Sequence, residues 1–391
     1  MKLKNLALMT LMISLAGCGS DSNGGTDPVK PVDPVKPVDP VKPVDPVEKI
    51  YSFQDLYDVS GFAYTGATLT LRPTEESLFS KLTLLEYPNG ANFKQSESYP
   101  GSPLELIFDK PGKYKFEYQK SNVIKYIEVE VKVSNTIKGS ILKKDLLLSD
   151  TTKPYVLASN IGISKGATLK VLKGVTLIAN NKDIAVEGVL DISGDKSSPV
   201  KIFDAIIKSV NDGGLIKIHH SNINGGSLYS ATGLTTHATL DLQKSLIKNV
   251  NSAIHLWYPL GEVKIIGNHF INSGGIDFGI TEGEVTSVKI TNNKFENWTT
   301  GYAIENWANY GSVLIADISY NSFITNDKNS YAAVLPSGYN STALVMRNNY
   351  WGTTDVSKIN TLIYDRNDSL ESAGYVEFEP FLTKPHPNTP Q

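Results

Sequence analysis

The chain has 391 residues, a formal net charge of −3 and 40% hydrophobic residues, which is length enough for two domains and a tether. Acidic and basic residues nearly balance and no basic cluster occurs, so the electrostatic footprint of a nucleic-acid binder is missing. A single cysteine excludes an internal disulfide.

In chain order, Lys2 and Lys4 precede an apolar run from Leu6 to Leu15 that is too short for a permanent membrane span and reads as a secretion signal over residues 1–17. The run ends in Leu15-Ala16-Gly17-Cys18, which resembles the bacterial lipobox. The resemblance implies cleavage before Cys18 and lipidation of its thiol, and Gly19, standing where aspartate would retain such a protein in the inner membrane, implies the outer membrane. From Asp27 to Val47 an Asp-Pro-Val-Lys-Pro-Val hexapeptide recurs with proline at every third position. Proline fixes φ and removes backbone donors, so residues 18–47 read as an anchor and stalk, whose Asp27–Val47 tract in polyproline II would reach about 60 Å.

Residues 48–134 read as a small all-β unit. "GKYKFEYQ" and "VIKYIEVEVKV" alternate apolar and polar side chains, as strands with one buried face do, and Lys120-Ser121-Asn122 supplies the turn between them. The stretch "DKPGKYKFEY" resembles the late hairpin of immunoglobulin-like domains of the polycystic-kidney-disease type, which implies a β-sandwich acting as a spacer or adhesion module.

Beyond residue 134 the pattern turns to tight repetition. Short apolar strands separated by Gly166, Gly174, Gly188 and Gly194 leave no helical period between them, so βαβ crossovers are excluded and a solenoid is expected. Six units, "IKIHHSNI", "LDLQKSLI", "VKIIGNHF", "VKITNNKF", "ADISYNSF" and "ALVMRNNY", align on Ser221, Ser245, Asn268, Asn293, Asn321 and Asn348, spaced 23 to 28 residues apart. An apolar residue follows each anchor by two places: Ile223, Ile247, Phe270, Phe295, Phe323 and Tyr350. A repeat of this size is expected to form one coil of a β-helix, with stacked apolar ladders and structural polar anchors.

The run "KGATLKVLKGVTLIANNKDIAVEGVLDISGDKSSPVKI" and the ending "NNYWGTTDVSKINTLIYDRND…VEFEPFL" are similar to those of right-handed parallel β-helix proteins of the pectate-lyase-like superfamily. The expected fold class is therefore all-β, with a right-handed parallel β-helix over residues 135–385 preceded by a small β-sandwich. The superfamily includes polysaccharide lyases, glycoside hydrolases, epimerases and non-catalytic surface proteins, so the resemblance specifies a fold better than an activity.

A second strand follows each anchor: "AIHLWY", "GIDFGI" and "AIENWANY". If Ile254, Ile276 and Ile304 point inward, period-two alternation places His255, Asp277 and Glu305 on one outer ladder with rungs ~4.8 Å apart. Trp257 and Trp307 then face outward around Gly279, with Tyr258 and Tyr310 beside them. Neighbouring carboxylates at that spacing repel and raise one apparent pKa, and the spacing approaches the ~5 Å separation of a retaining glycosidase pair. His255 is a candidate base near neutral pH. Asp277, Glu305 and His255 are thus the candidate catalytic residues, and Trp257, Tyr258, Trp307 and Tyr310 the candidate sugar-stacking ones.

Other candidates are weaker. His219 and His220 would point to opposite strand faces, so no metal site is expected there. The run Asp365–Asp368 carries oxygen ligands suited to calcium without a complete binding loop, and a structural role is expected for it; no other cofactor is implied. Lyases of the superfamily commonly use arginine or lysine, and the arginines here are Arg72, Arg347 and Arg366, off the proposed ladder. The expected function is that of a surface lipoprotein that binds an extracellular polysaccharide and cleaves it as a lyase or hydrolase; the alternative is a non-catalytic glycan-binding, adhesive or structural surface protein. The membrane is expected as a partner through the lipid alone.

Overall fold

The computed structural model describes residues 49–96, 101–211, 213–225, 238–250, 252–280, 287–309, 316–327 and 329–391, and the backbone of 232–234. The signal, Cys18, the stalk and Tyr310 lie outside these residues.

The alternating N-terminal runs form two four-stranded sheets. One takes Ile50–Tyr51, Val123–Val131, Gly112–Lys120 and Lys81–Glu86 in spatial order, and the other Tyr57–Gly61, Thr68–Pro73, Leu104–Phe108 and Phe93–Gln95. Tyr114, Phe116 and Tyr118 point inward from one sheet and Leu69, Leu71, Leu106 and Phe108 from the other, so both sheets share one core. The expected hairpin is present: Gly112 pairs with Val131 and Lys120 with Val123, and Ser121 turns the chain at φ 54°.

From Asn135–Ile137 onward the chain winds into a parallel β-solenoid of about seven turns. Each full coil contributes one strand to each of three faces. The first face is an eight-stranded sheet running from Leu146–Leu148 to Ala316–Ser319. The second includes Ser221–Asn224, Leu246–Lys248, His269–Ile271, Lys294–Glu296 and Ser322–Ile324. The third includes Ile254–Leu256, Ile276–Ile280, Tyr302–Asn309 and Tyr331–Val334.

The corner between the first two faces explains the repeat. A residue with positive φ turns the chain in each coil, at His220, Lys244, Gly267, Asn292, Tyr320 and Asn348, and the next residue is the buried anchor. The anchors form a continuous hydrogen-bonded column. The backbone N–H groups of Ser245, Asn268, Asn293 and Asn321 donate to Oδ1 of Asn268, Asn293, Asn321 and Asn349 at 2.8–2.9 Å. The side-chain amides of these four asparagines donate to Leu242, Ile265, Ile290 and Ile318 carbonyls on the first face at 2.7–2.9 Å. Buried backbone groups at each corner are satisfied in this way, which is the structural role expected of them.

The last unit corrects the expected alignment by one residue. Asn348 has φ 59° and is the turn residue, while Asn349, with no exposed surface, is the anchor. The apolar ladder accordingly ends at Trp351 and not at Tyr350. Ring centroids follow one another at 4.8 Å from Phe270 to Phe295, 5.4 Å to Phe323 and 5.2 Å to Trp351. Two adjacent asparagines hid the shift, since either fits the polar pattern and only backbone conformation separates them.

The two parts meet through Asn180, whose Oδ1 accepts from the Thr68 N–H at 3.1 Å and whose amide donates to the Gly66 carbonyl at 2.9 Å. Phe62 and Phe203 touch edge to face at 4.7 Å beside them. At the other end Val356–Thr361 forms a short helix capped by Asp355, and Ala343–Val345 pairs with Tyr375–Glu377. The chain remains docked past residue 385: His386 accompanies the Tyr320 ring, and Thr389 Oγ1 donates to the Tyr320 carbonyl at 2.8 Å.

Candidate functional site

The third face places the expected ladder in register. His255 pairs with Asp277 and Asp277 with Glu305, while Ile254, Ile276 and Ile304 are buried in the core. Three side chains separated by whole coils in sequence thus project from adjacent parallel strands.

Outward direction does not leave all three open to solvent. Asp277 is only 7% exposed, a correction to the expectation of a uniformly exposed ladder. Its Oδ1 bonds to His255 Nδ1, and its Oδ2 accepts from the Tyr302 hydroxyl at 2.9 Å. Tyr302 begins the same strand that carries Glu305 and brings its phenol back over Asp277. Sequence reasoning missed this tyrosine because strict alternation places it with Ile304 in the core, although it is half-buried while Ala303 is fully buried.

The network has a definite electrostatic character. Burial, reinforced by the Asp277 charge, holds the Glu305 carboxyl above the usual carboxylate range. The hydrogen bond to Asp277 raises the His255 pKa against the opposing effect of its own burial. Burial, and then the two carboxylates, push the Tyr302 phenol upward, so this group stays protonated and acts as a donor. The sequence-level expectation that neighbouring acids would raise one apparent pKa is met at Glu305, with desolvation as the larger cause.

The aromatic residues converge beside this network. Trp257 is 53% exposed and lies 5.3 Å from Trp307, ring centre to ring centre. Tyr258 meets Trp307 edge to face at 4.8 Å, and the His255 ring lies nearly parallel to Trp307 at 6.2 Å. A bulge in the Tyr302–Asn309 strand makes this cluster: Phe278 pairs with Asn306 but Gly279 pairs with Ala308, so Trp307 is the extra residue. It covers Gly279 closely enough that a Cβ there would come within 2.6 Å of the indole. Asn306 is fully buried and secures the bulge by donating to the Phe278 and Ala308 carbonyls at 2.9 and 3.0 Å. Of the four sugar-stacking candidates, the structure brings Trp257, Tyr258 and Trp307 together.

The remaining candidates are structural. His219 Nε2 lies 2.9 Å from Asp241, whereas His220 is a corner residue with φ 47°. Asp365 accepts from the N–H groups of Asn367 and Val376 at 2.8 and 2.9 Å, which fixes the C-terminal turn. Arg347 pairs with Glu377 at 2.7 Å, Arg366 donates to the Ser372 carbonyl and Arg72 donates to Ser60. Among the described residues no group of three or more histidines, cysteines and acids is arranged to hold a metal, and no helix is long and apolar enough to cross a membrane.

A parallel β-solenoid with an aromatic and acidic outer face is the class that this fold and site define. No protein-family model, curated protein or solved structure matches the chain.

Proposed function

We propose that the protein is a lipid-anchored outer-membrane protein that binds an extracellular polysaccharide on the third solenoid face. The observation that carries this reading is the cluster of Trp257, Tyr258 and Trp307 beside the His255–Asp277–Tyr302 network. Indole and phenol faces cover the C–H faces of sugar rings, and adjacent carboxyl, imidazole and phenol groups exchange hydrogen bonds with their hydroxyls. The Leu15–Cys18 motif and the proline-rich run support an anchor on a stalk, the immunoglobulin- or polycystic-kidney-disease-like sandwich serves as a spacer, and the solenoid is of the right-handed, pectate-lyase-like kind.

Hydrolysis of the bound chain is the second reading, favoured by the elevated pKa of Glu305. A carboxyl still protonated above its ordinary range suits a general acid that protonates a glycosidic oxygen. Asp277, enclosed and bonded on both oxygens, then serves to orient His255, which would accept a proton from water in the neutral fraction of its ring, a fraction that its raised pKa makes smaller. β-Elimination finds no arginine on this face, each of the three being engaged elsewhere.

Intrinsic fluorescence tests the binding reading. Trp298 and Trp351 are buried and Trp257 is exposed, so a bound polysaccharide should shift an emission component that disappears in Trp257→Ala. A panel of neutral and acidic polysaccharides that leaves both emission and affinity unchanged would defeat it. New reducing ends that appear with the parent and not with Glu305→Gln would establish hydrolysis, and binding without any product would leave the protein a non-catalytic binder.

A further inference from the structure

We propose that the cleft where the N-terminal sheets meet the solenoid is a second ligand site, and that it takes a neutral sugar. The cleft encloses about 670 Å³, within the ~300–1,000 Å³ range of small-ligand sites. It is walled on one side by the strand surface carrying Ser60, Thr70 and Arg72, and on the other by the corner between the second and third solenoid faces.

That corner presents Asn181, Asp204, Asn224 and Asn249 from successive coils. Asp204 stands out because its carboxylate has neither a hydrogen-bond donor nor a cation among the described residues, and burial alone holds its pKa above the usual range. Gly225 leaves it room: a Cβ at this position, which has φ 127°, would come within 2.1 Å of Asp204 Oδ1. The half-buried carboxylate faces the cleft, where a pair of ligand hydroxyls would take the place of water as its donors. Asn224 Oδ1 accepts from the Asn249 amide at 3.0 Å, which leaves the Asn224 amide as a donor and the Asn249 carbonyl as an acceptor at the rim.

The charge of the lining selects against an ionic ligand. Arg72 and Lys182 are offset by Asp204 and Glu105, so neither sign dominates. The edge-to-face rings of Phe62 and Phe203 are both partly exposed in the cleft and offer an apolar surface for a sugar's C–H face. Hydroxyl-matching donors and acceptors, one carboxylate facing the cleft and an aromatic wall fit a neutral oligosaccharide end better than a uronic acid or a peptide. These residues are separate from the His255–Trp307 face, so the site does not depend on the function proposed for that face.

The test uses the full chain in detergent, calorimetric titration with malto-, cello-, manno- and xylo-oligosaccharides, and oligogalacturonate as the acidic comparison. At least one neutral series should bind, with affinity reduced about tenfold or more in Asp204→Asn. Asparagine tolerates the φ of 52° at position 204, and an unchanged melting temperature would verify folding. Arg72→Gln, on an exposed sandwich strand, gives a second reading of the same wall. The proposal is overturned if no neutral series binds, if oligogalacturonate binds more tightly than all of them, or if affinity is unchanged in Asp204→Asn.

Discussion

Replacing Asn293 with alanine should remove the centre of the buried anchor column. Asn293 has no exposed surface; its Oδ1 accepts from the Asn268 N–H at 2.9 Å and the Asn268 amide at 3.0 Å, and its Nδ2 donates to the Ile265 carbonyl at 2.7 Å and to Asn321 Oδ1 at 3.0 Å. In the alanine variant the Asn268 N–H has no acceptor and the Ile265 carbonyl loses this donor. The Asn268 amide keeps Leu242, and Asn321 Oδ1 keeps the Asn293 N–H. One orphaned buried N–H costs about 1–3 kcal/mol, and the three remaining lost bonds about 1 kcal/mol each, giving roughly 4–6 kcal/mol in all. Asn293→Ser should cost less, because Ser245 fills the same position and its Oγ accepts from the Ser221 N–H at 3.1 Å. Asn293→Asp should cost the most, since it loses the donor to Ile265 and sets a buried charge against Asn321 Oδ1. Urea unfolding followed by circular dichroism would give the three midpoints and slopes. The hydrogen-bond account is refuted if alanine costs less than about 1 kcal/mol or if aspartate is tolerated as well as serine.

Glu305→Gln should alter stability with a definite sign. A carboxyl whose folded pKa is raised contributes stability below its ordinary value of 4.5 that is lost as pH rises through the raised value, so the variant's melting temperature should gain on the parent's across that interval. His255 also has a raised pKa, and its contribution, complete below 6.5, should fade as pH rises through the folded value. Asp277→Asn should return the His255 titration, followed by imidazole NMR, toward 6.5, and an unmoved titration would dissociate the two groups. Cys18→Ser should release the protein from the membrane fraction, because no second thiol exists to be lipidated.

The coils were legible because parallel stacking repeats the same environment every turn: alternation identified Ile254, Ile276 and Ile304 as inward and therefore His255, Asp277 and Glu305 as one ladder. The C-terminal slip from Asn348 to Asn349 was not legible, since composition is identical at the two positions and only φ distinguishes turn from anchor. Enclosure of Asp277 was hidden for a related reason. Register fixes the direction in which a side chain leaves the strand, but the covering phenol of Tyr302 departs from alternation. The Trp307 bulge likewise breaks period two, and the nearby Gly279, which admits the indole, was its one sequence-level trace. Asp204 left no motif at all, because its cleft joins neighbouring solenoid coils to sandwich strands far earlier in the sequence.

The most direct test of the glycan-binding face is the calorimetric affinity of the parent and of the double variant Trp257→Ala, Trp307→Ala for a polysaccharide that the parent retains. Two ordinary stacking residues predict a loss of about 1–3 kcal/mol with the solenoid still folded. Equal affinity in the two proteins would contradict the account.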